Sequence, residues 1–450
     1  MSAIPLITHE TPEAIVAWRG AAPVTARRFI LEVRRLADRL PAGRHVLNVC
    51  ADRYRFTLGL AACLLTQRVS LLPSTHTPEV IRHLAEFAPD AFCLTDDPRC
   101  EIALPQWQFP AELAGEEVPH QVPRLDPDQA AAIVFTSGST GTPLPFRKTW
   151  GRLARCVQAG APRLGLADGR SHTLVGTVPP QHMYGFESTV LLTLQSGNAL
   201  ASGRPFYPAD ICSALSLVPR PRTLISTPIH LRALLAADIP LPPVDRIVSA
   251  TAPLDRQVAL EVETRFGAPL IEIYGSTETG QIATRETART DLWELWPEVS
   301  LSAGDGRTYA HGGHVEQITP MCDVIEIIDD RSFRLHGRSA DLVNIAGKRS
   351  SFGYLNHQLN SIPGVLDGVF FLPEEAGAGA TGVARLAALV VAPTLTAVEL
   401  AEQLRRRIDP VFMPRPLLFV ERLPRNATGK LPQQALRTLA ESRLKSVGSS

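Results

Sequence analysis

The chain has 450 residues, with Lys+Arg and Asp+Glu at 45 each, so its formal charge is zero and no global basic field exists to hold nucleic acid or an acidic membrane. Seven scattered cysteines without a C-x-x-C pair argue against a disulfide framework or a zinc site and suit reduced thiols in a cytoplasmic protein. The first twenty residues have no basic start leading into an apolar stretch, and the longest apolar run, at 58–65, is too short to span a bilayer; no signal peptide or membrane span is expected, and 58–65 reads as a buried helix.

In chain order, the apolar segments HVLNVC, VSLLP, AAIVFTS, HTLVGTVP, RTLISTP, RIVSATAP and PLIEIYG read as strands, with the helical patterns PEVIRHLAEFAPD and LDRQVALEVETRFG between several of them. This alternation predicts an α/β fold: a large N-terminal domain of parallel or mixed sheets covered by helices, with ligand loops at the carboxyl ends of the strands. The last third differs. FRLHGR and DLVNIAGKRSS are strand-like, SFGYLNHQLNSIPG suits a helix, and the strands DGVFFLP, RLAALVVAP and PLLFVERLP follow, with the helix TAVELAEQLRRRID before the last and another after a Gly-Lys loop. That pattern predicts a small α+β domain, with the division at 1–338 and 339–450 and the Gly/Ala-rich EEAGAGATG at 374–382 as a hairpin tip.

Two strand ends carry chemistry. The strand at 133–135 runs into Thr136, Ser137, Gly138, Ser139, Thr140 and Gly141, where glycines let backbone N–H groups turn toward an anion and hydroxyls add donors. The Walker spacing is absent, and taken alone a Ser/Gly surface turn reads the same way. Further on, the strand at 271–273 runs into Tyr274, Gly275, Ser276, Thr277 and Glu278, which gather an aromatic for a base, hydroxyls for phosphate and a carboxylate for Mg²⁺.

Together with the C-terminal third, these segments resemble the adenylate-forming superfamily of acyl-CoA synthetases, aryl-acid ligases, luciferase-like enzymes and peptide-synthetase adenylation domains. TSGSTGTP is similar to its phosphate loop, YGSTET to its Tyr-Gly-x-Thr-Glu segment, Gly337-Arg338 through Lys348-Arg349 to its Gly-Arg-x-x-Asp and Gly-x-Arg segments, and LPRNATGK at 423–430 to its closing Gly-Lys motif. The resemblance covers roughly residue 40 to the end. It implies an enzyme that uses ATP and Mg²⁺ to adenylate a small carboxylic acid and then passes the acyl group to a pantetheine thiol, with the C-terminal domain acting as a mobile lid between the half-reactions. Lys430 would bridge carboxylate and α-phosphate, Thr277 and Glu278 would serve phosphate and metal, Tyr274 and Ala252 the adenine, and Asp323 with Arg338 the ribose. PPQHMYGF implies His182 at the acid's carboxylate and Tyr184 near its tail. Gly347, Lys348 and Arg349 would lie along the pantetheine arm.

The chain departs from the family pattern in several places. Leu144 stands where the phosphate loop usually has a lysine, with Arg147 or Lys148 as possible substitutes; Ala340 stands at the hinge; and Ala250-Thr251 replace two glycines beside Ala252. A closer resemblance, to stand-alone ligases of xanthomonadin and aryl-polyene pigment formation, implies a hydroxybenzoate-type acid and an acyl carrier protein, with coenzyme A as the other acceptor. Two alternatives stay open: amino-acid activation, from Phe186-Glu187-Ser188, and a catalytically dead nucleotide-binding homologue.

Overall fold

The computed structural model describes residues 2–73, 75–113, 120–137, 143–338, 342–345, 348–373, 385–426 and 429–448. They pack as two units. One comprises Met1–Thr290, Glu294–Ser300 and Ala310–Thr319; the other comprises Asp291–Trp293, Leu301–Tyr309 and Pro320–Ser450.

The first unit is α/β, and each segment read as a strand forms one. One sheet runs Pro143–Thr149, Ala130–Ser137, Val69–Leu72, His45–Asn48, Phe92–Thr95, Gln106–Gln108, parallel except for the first pair. Pro143–Thr149 was not legible as a strand, because Pro143 and Pro145 lack ladder donors; both are tolerated here because this strand is the sheet edge. In the second sheet Leu270–Ser276, Arg246–Ser249, Arg222–Ser226, Thr173–Gly176, Ala199–Ala201 and Ile15–Arg19 are parallel neighbours, and Gly280–Arg285 returns antiparallel along Leu270–Ser276.

Strands buried on both faces are mostly apolar, and these are, with Thr223 and Glu272 among the buried exceptions. Val175, Leu224, Ile247 and Leu270 pack with Leu231 and Leu234 of helix Pro228–Ala236 and with Ala259, Val262 and Phe266 of helix Arg256–Phe266. Asp255 caps the latter helix, accepting from the N–H groups of Gln257 and Val258. The apolar run at 58–65 lies in helix Arg53–Leu65, buried nearly all round. Among the described residues no helix is long and apolar enough to cross a membrane.

In the second unit Asp367–Phe371, Ala387–Val391 and Leu417–Phe419 form a sheet whose alternating residues serve two cores. Phe370, Ala388 and Val390 pack with Leu355, Leu359, Leu400 and Leu404 of helices Phe352–Asn360 and Ala397–Arg405. Val369, Leu389 and Leu418 pack on the opposite side with Ala440 of helix Gln433–Gly448. The packing boundary falls upstream of 338/339: strand Ser332–Arg338, paired with Asp323–Ile327, lies against helix Phe352–Asn360. A strand's end is visible in sequence, but the helix that covers it is not. The expected hairpin tip at 374–382 lies outside the described residues, as do Ala340 and Gly347.

Candidate active site

The parallel register of the second sheet brings its strand ends side by side: Gly176 is paired with Ile225, Ser226 with Ser249, and Ser249 with Glu272. The loops leaving this edge carry His182, Ala252 and Thr277–Glu278, so residues far apart in sequence issue from one side of one sheet. Tyr274 sits in the last turn of strand, buried and opposite Ala283.

The 276–280 turn ties itself together. The Ser276 N–H donates to Thr279 Oγ1 at 3.1 Å, and the Thr279 N–H donates to Ser276 Oγ at 3.2 Å. Gly275 is required: a Cβ there would lie 2.3 Å from the Gly280 carbonyl oxygen. Beneath the turn, the Lys148 ammonium donates to the carbonyls of Thr277 and, at 3.0 Å, Glu278, and Arg152 also donates to the Glu278 carbonyl. By contrast the Thr277 hydroxyl and the Glu278 carboxylate make no hydrogen bond or ion pair among the described residues.

Among those residues no cluster of three or more His, Cys, Asp or Glu can hold a metal alone. A carboxylate beside a hydroxyl supplies oxygen ligands of the kind Mg²⁺ takes.

The two basic residues considered for the phosphate loop face opposite ways, and residues 138–142 of that loop lie outside the described residues. Arg147 is exposed and donates to the Asp128 carbonyl at 2.9 Å, while Lys148, one position on and facing the other way along the strand, is buried under the 276–280 turn. Strand Ala130–Ser137 does end at Thr136-Ser137, paired with Leu144 and Pro143; Gly138, Ser139, Thr140 and Gly141 lie outside the described residues.

Beside the second sheet, buried Glu272 accepts from the Leu254 N–H at 3.2 Å, Arg285 Nε at 2.8 Å and Thr287 Oγ1 at 2.8 Å, tying the 250–254 loop to the strand that carries Tyr274. Burial pushes its carboxyl pKa up, against the opposing pull of Arg285. Next to Ala252, Thr251 holds φ at +81°, a left-handed conformation that a β-branched residue resists. Thr251→Gly is expected to stabilise the protein by about 1 kcal/mol, read as a higher midpoint in urea unfolding; an unchanged or lower midpoint would show that the loop carries no such strain.

His182 caps the short turn Met183–Gly185, and its Nδ1 accepts from the Tyr184 N–H at 3.3 Å. In the neutral ring the hydrogen therefore sits on Nε2. Gly185 is required here too, since a Cβ would lie 2.1 Å from the Pro179 carbonyl oxygen. Tyr184, expected near the acid's tail, is buried, and its hydroxyl donates to the Val248 carbonyl at 3.1 Å, so it acts as a fixed wall rather than a free donor.

Behind this turn the fully buried Arg53 donates to the carbonyls of Gly176 at 2.8 Å and Val178 at 3.0 Å and to Thr189 Oγ1 at 2.7 Å. Burial, aided by Arg204, brings its pKa down to about 10, so it stays charged at neutral pH. Sequence reasoning missed Arg53, Lys148 as an inward clamp, and Glu272. The alternation of PLPFRKT could have flagged Lys148; nothing local marks the other two.

In the second unit, Asp323 and Arg338 are direct partners across the strand pair, so the two residues expected at the ribose are brought together. Lys348 and Arg349 lie in strand Lys348–Ser351, paired with Ile345 and Asn344. Lys430 is exposed and follows Gly429, whose φ is +78°. Asn426 closes the loop: its Oδ1 accepts from the Lys430 N–H at 2.9 Å and its N–H donates to the Lys430 carbonyl at 2.8 Å. Arg425 forks onto Asp367 at 2.6 and 2.7 Å and donates to the Gly429 carbonyl at 2.9 Å.

The parallel sheet and its loops, whose edge carries an aromatic, hydroxyls, a carboxylate and a histidine, make this an α/β protein with a polar strand-end site. The AMP-binding enzyme family model matches residues 5–332, and the chain belongs to that family. It is an AMP-forming acid–thiol ligase. Its relatives include a 4-coumarate–CoA ligase of Rhodobacter capsulatus, 31% identical over 307 residues that cover 67% of this chain and 75% of the relative. A 3-hydroxybenzoate–CoA/4-hydroxybenzoate–CoA ligase of Thauera aromatica is 23% identical over 494 residues, covering 97% and 87%. Among solved structures, ATP-bound MatB from Rhodopseudomonas palustris shares the fold with a TM-score of 0.79 at 18% identity, covering 96% of this chain and 97% of that one.

Proposed function

We propose that the protein adenylates an aromatic carboxylic acid bearing a polar ring substituent, of the hydroxybenzoate type, and transfers the acyl group to a pantetheine thiol in the cytoplasm. A carboxylate oxygen attacks the α-phosphorus and pyrophosphate leaves; a thiolate sulfur then attacks the acyl carbon and AMP leaves. Bringing two anions together is the difficulty, and fixed donors and cations lower it. The observation that carries this reading is the pair of uncommitted groups, the Thr277 hydroxyl and the Glu278 carboxylate, issuing from the same sheet edge as His182. His182 Nε2–H would meet the acid's carboxylate, Thr277 and Glu278 would receive Mg²⁺ and phosphate, Tyr274 and Ala252 the adenine, and Asp323 with Arg338 the ribose. A C-terminal lid of residues 339–450 would bring Lys430 to the first half-reaction and Gly347, Lys348 and Arg349 to the pantetheine of the second.

Polar buried atoms support the choice of acid. His230 Nε2 and Ser249 Oγ lie at this sheet edge, buried and without a hydrogen-bond partner among the described residues. Burial holds the His230 pKa down at about 4, so the ring is neutral at pH 7. Such atoms favour a ligand that hydrogen-bonds over one that is wholly apolar. Glu187, the residue that suggested an amino-acid substrate, is buried and accepts from Cys156 Sγ at 3.7 Å, which leaves it poorly placed to grip an α-amine.

The names of the relatives support coenzyme A as acceptor, while the sequence resemblance to pigment-pathway ligases supports a carrier protein. Acid-dependent ATP–pyrophosphate exchange over hydroxylated, unsubstituted and aliphatic acids and amino acids tests the reading, followed by thiol transfer to coenzyme A and to holo-acyl carrier protein. Best exchange with a hydroxylated benzoate is expected; exchange confined to amino acids, or absent from the whole panel, would defeat it.

A further inference from the structure

Lys148 is 1% exposed, and a lysine is rarely taken out of water without a task that uses its charge. The groups facing it come from every element around it: Arg152 and Cys156 from helix Trp150–Arg163, Glu187 from the π-helical turn Phe186–Leu191, and Glu278 from the 276–280 turn; burial pushes the Glu187 carboxyl up to about 7. His314, in the same polar layer, is neutral. The ammonium does not pair directly with Glu187. It donates instead to two successive backbone carbonyls, Thr277 and Glu278, and Arg152 seconds it on Glu278. One cation on two adjacent carbonyls fixes both peptide planes. The side chains carried by those peptides are the very ones left uncommitted on the first unit's sheet edge.

We infer that Lys148 is a positioning residue for acid activation: from inside the protein it locks the Thr277–Glu278 backbone so that the hydroxyl and carboxylate are presorted for the metal-bound triphosphate. The device spans two sheets, because Lys148 sits on the edge strand of one and its targets follow the carboxyl end of a strand of the other. It acts through the backbone, so a neutral side chain of similar length leaves the loop in place only loosely. The inference rests on the reading that Thr277 and Glu278 receive Mg²⁺ and phosphate.

The test uses the full chain and ATP as probe, with calorimetric binding measured in Mg²⁺ and again in EDTA. Lys148→Met is expected to weaken binding about tenfold in Mg²⁺ and to leave binding in EDTA within about twofold, the same signature as Glu278→Gln. Equal weakening of Lys148→Met in both conditions would reduce the lysine to a structural role and overturn the inference. A normal Lys148→Met beside an impaired Glu278→Gln would overturn it while sparing the reading of Glu278. A normal Glu278→Gln would remove the reading and the inference with it. If Lys148→Met does not fold, because the buried Glu187 carboxyl loses a nearby cation, Lys148→Met/Glu187→Gln removes both ionisable groups and takes its place in the same comparison.

Discussion

Lys430→Ala is expected to lower acid-dependent pyrophosphate exchange by about a hundred- to a thousand-fold, the loss that follows when one fixed donor to a developing oxyanion is removed. The side chain is exposed at the end of a loop whose shape is held by other groups: Gly429 in a left-handed conformation and the Asn426 side chain on the Lys430 N–H. Alanine keeps that backbone hydrogen bond, so the unfolding midpoint should move by less than about 0.5 kcal/mol. Transfer from a chemically supplied acyl-adenylate to the thiol should survive, because that step forms no bond to phosphorus. Exchange at the wild-type rate would exclude Lys430 from the chemistry.

The second large effect belongs to the Arg425–Asp367 pair. Arg425 grips Asp367 with both arms of its guanidinium and reaches the Gly429 carbonyl with the remaining nitrogen, so strand Asp367–Phe371 is the anchor of the lysine loop. Arg425→Ala should reduce exchange by about tenfold to a hundredfold, because small misplacements of a reacting group are that costly. Asp367→Ala should do nearly the same, and the double variant should be little worse than either, since the two act as one unit. Arg425→Lys should not rescue, for an ammonium lacks the fork. Additive losses in this cycle would show that the pair does not position the loop.

The sequence was most informative where physics is local. Apolar runs bounded by turn residues marked seven strands of the first unit, and periodicity marked two of its helices. Pro143–Thr149 escaped notice because two prolines argue against a strand unless it lies at an edge, and edges exist only in a sheet. The 338/339 boundary has the same origin: Ser332–Arg338 looks like an ending, and only its packing on helix Phe352–Asn360 assigns it to the second unit.

The candidate site divides along the same line. Small, hydroxylated and acidic residues directly after an apolar strand stand out in one dimension, which is why Thr136-Ser137 and Tyr274 through Glu278 could be proposed from the chain alone, whereas Lys430 drew notice only through the resemblance of the motif around it. Charges that act through the interior do not. Arg53 holds the carbonyls of Gly176 and Val178, Lys148 those of Thr277 and Glu278, and Glu272 the Leu254 N–H, across gaps of 18 to 130 residues. A buried charge is stable only where dispersed partners converge on it, and that convergence is a property of the folded sheets and of no single segment.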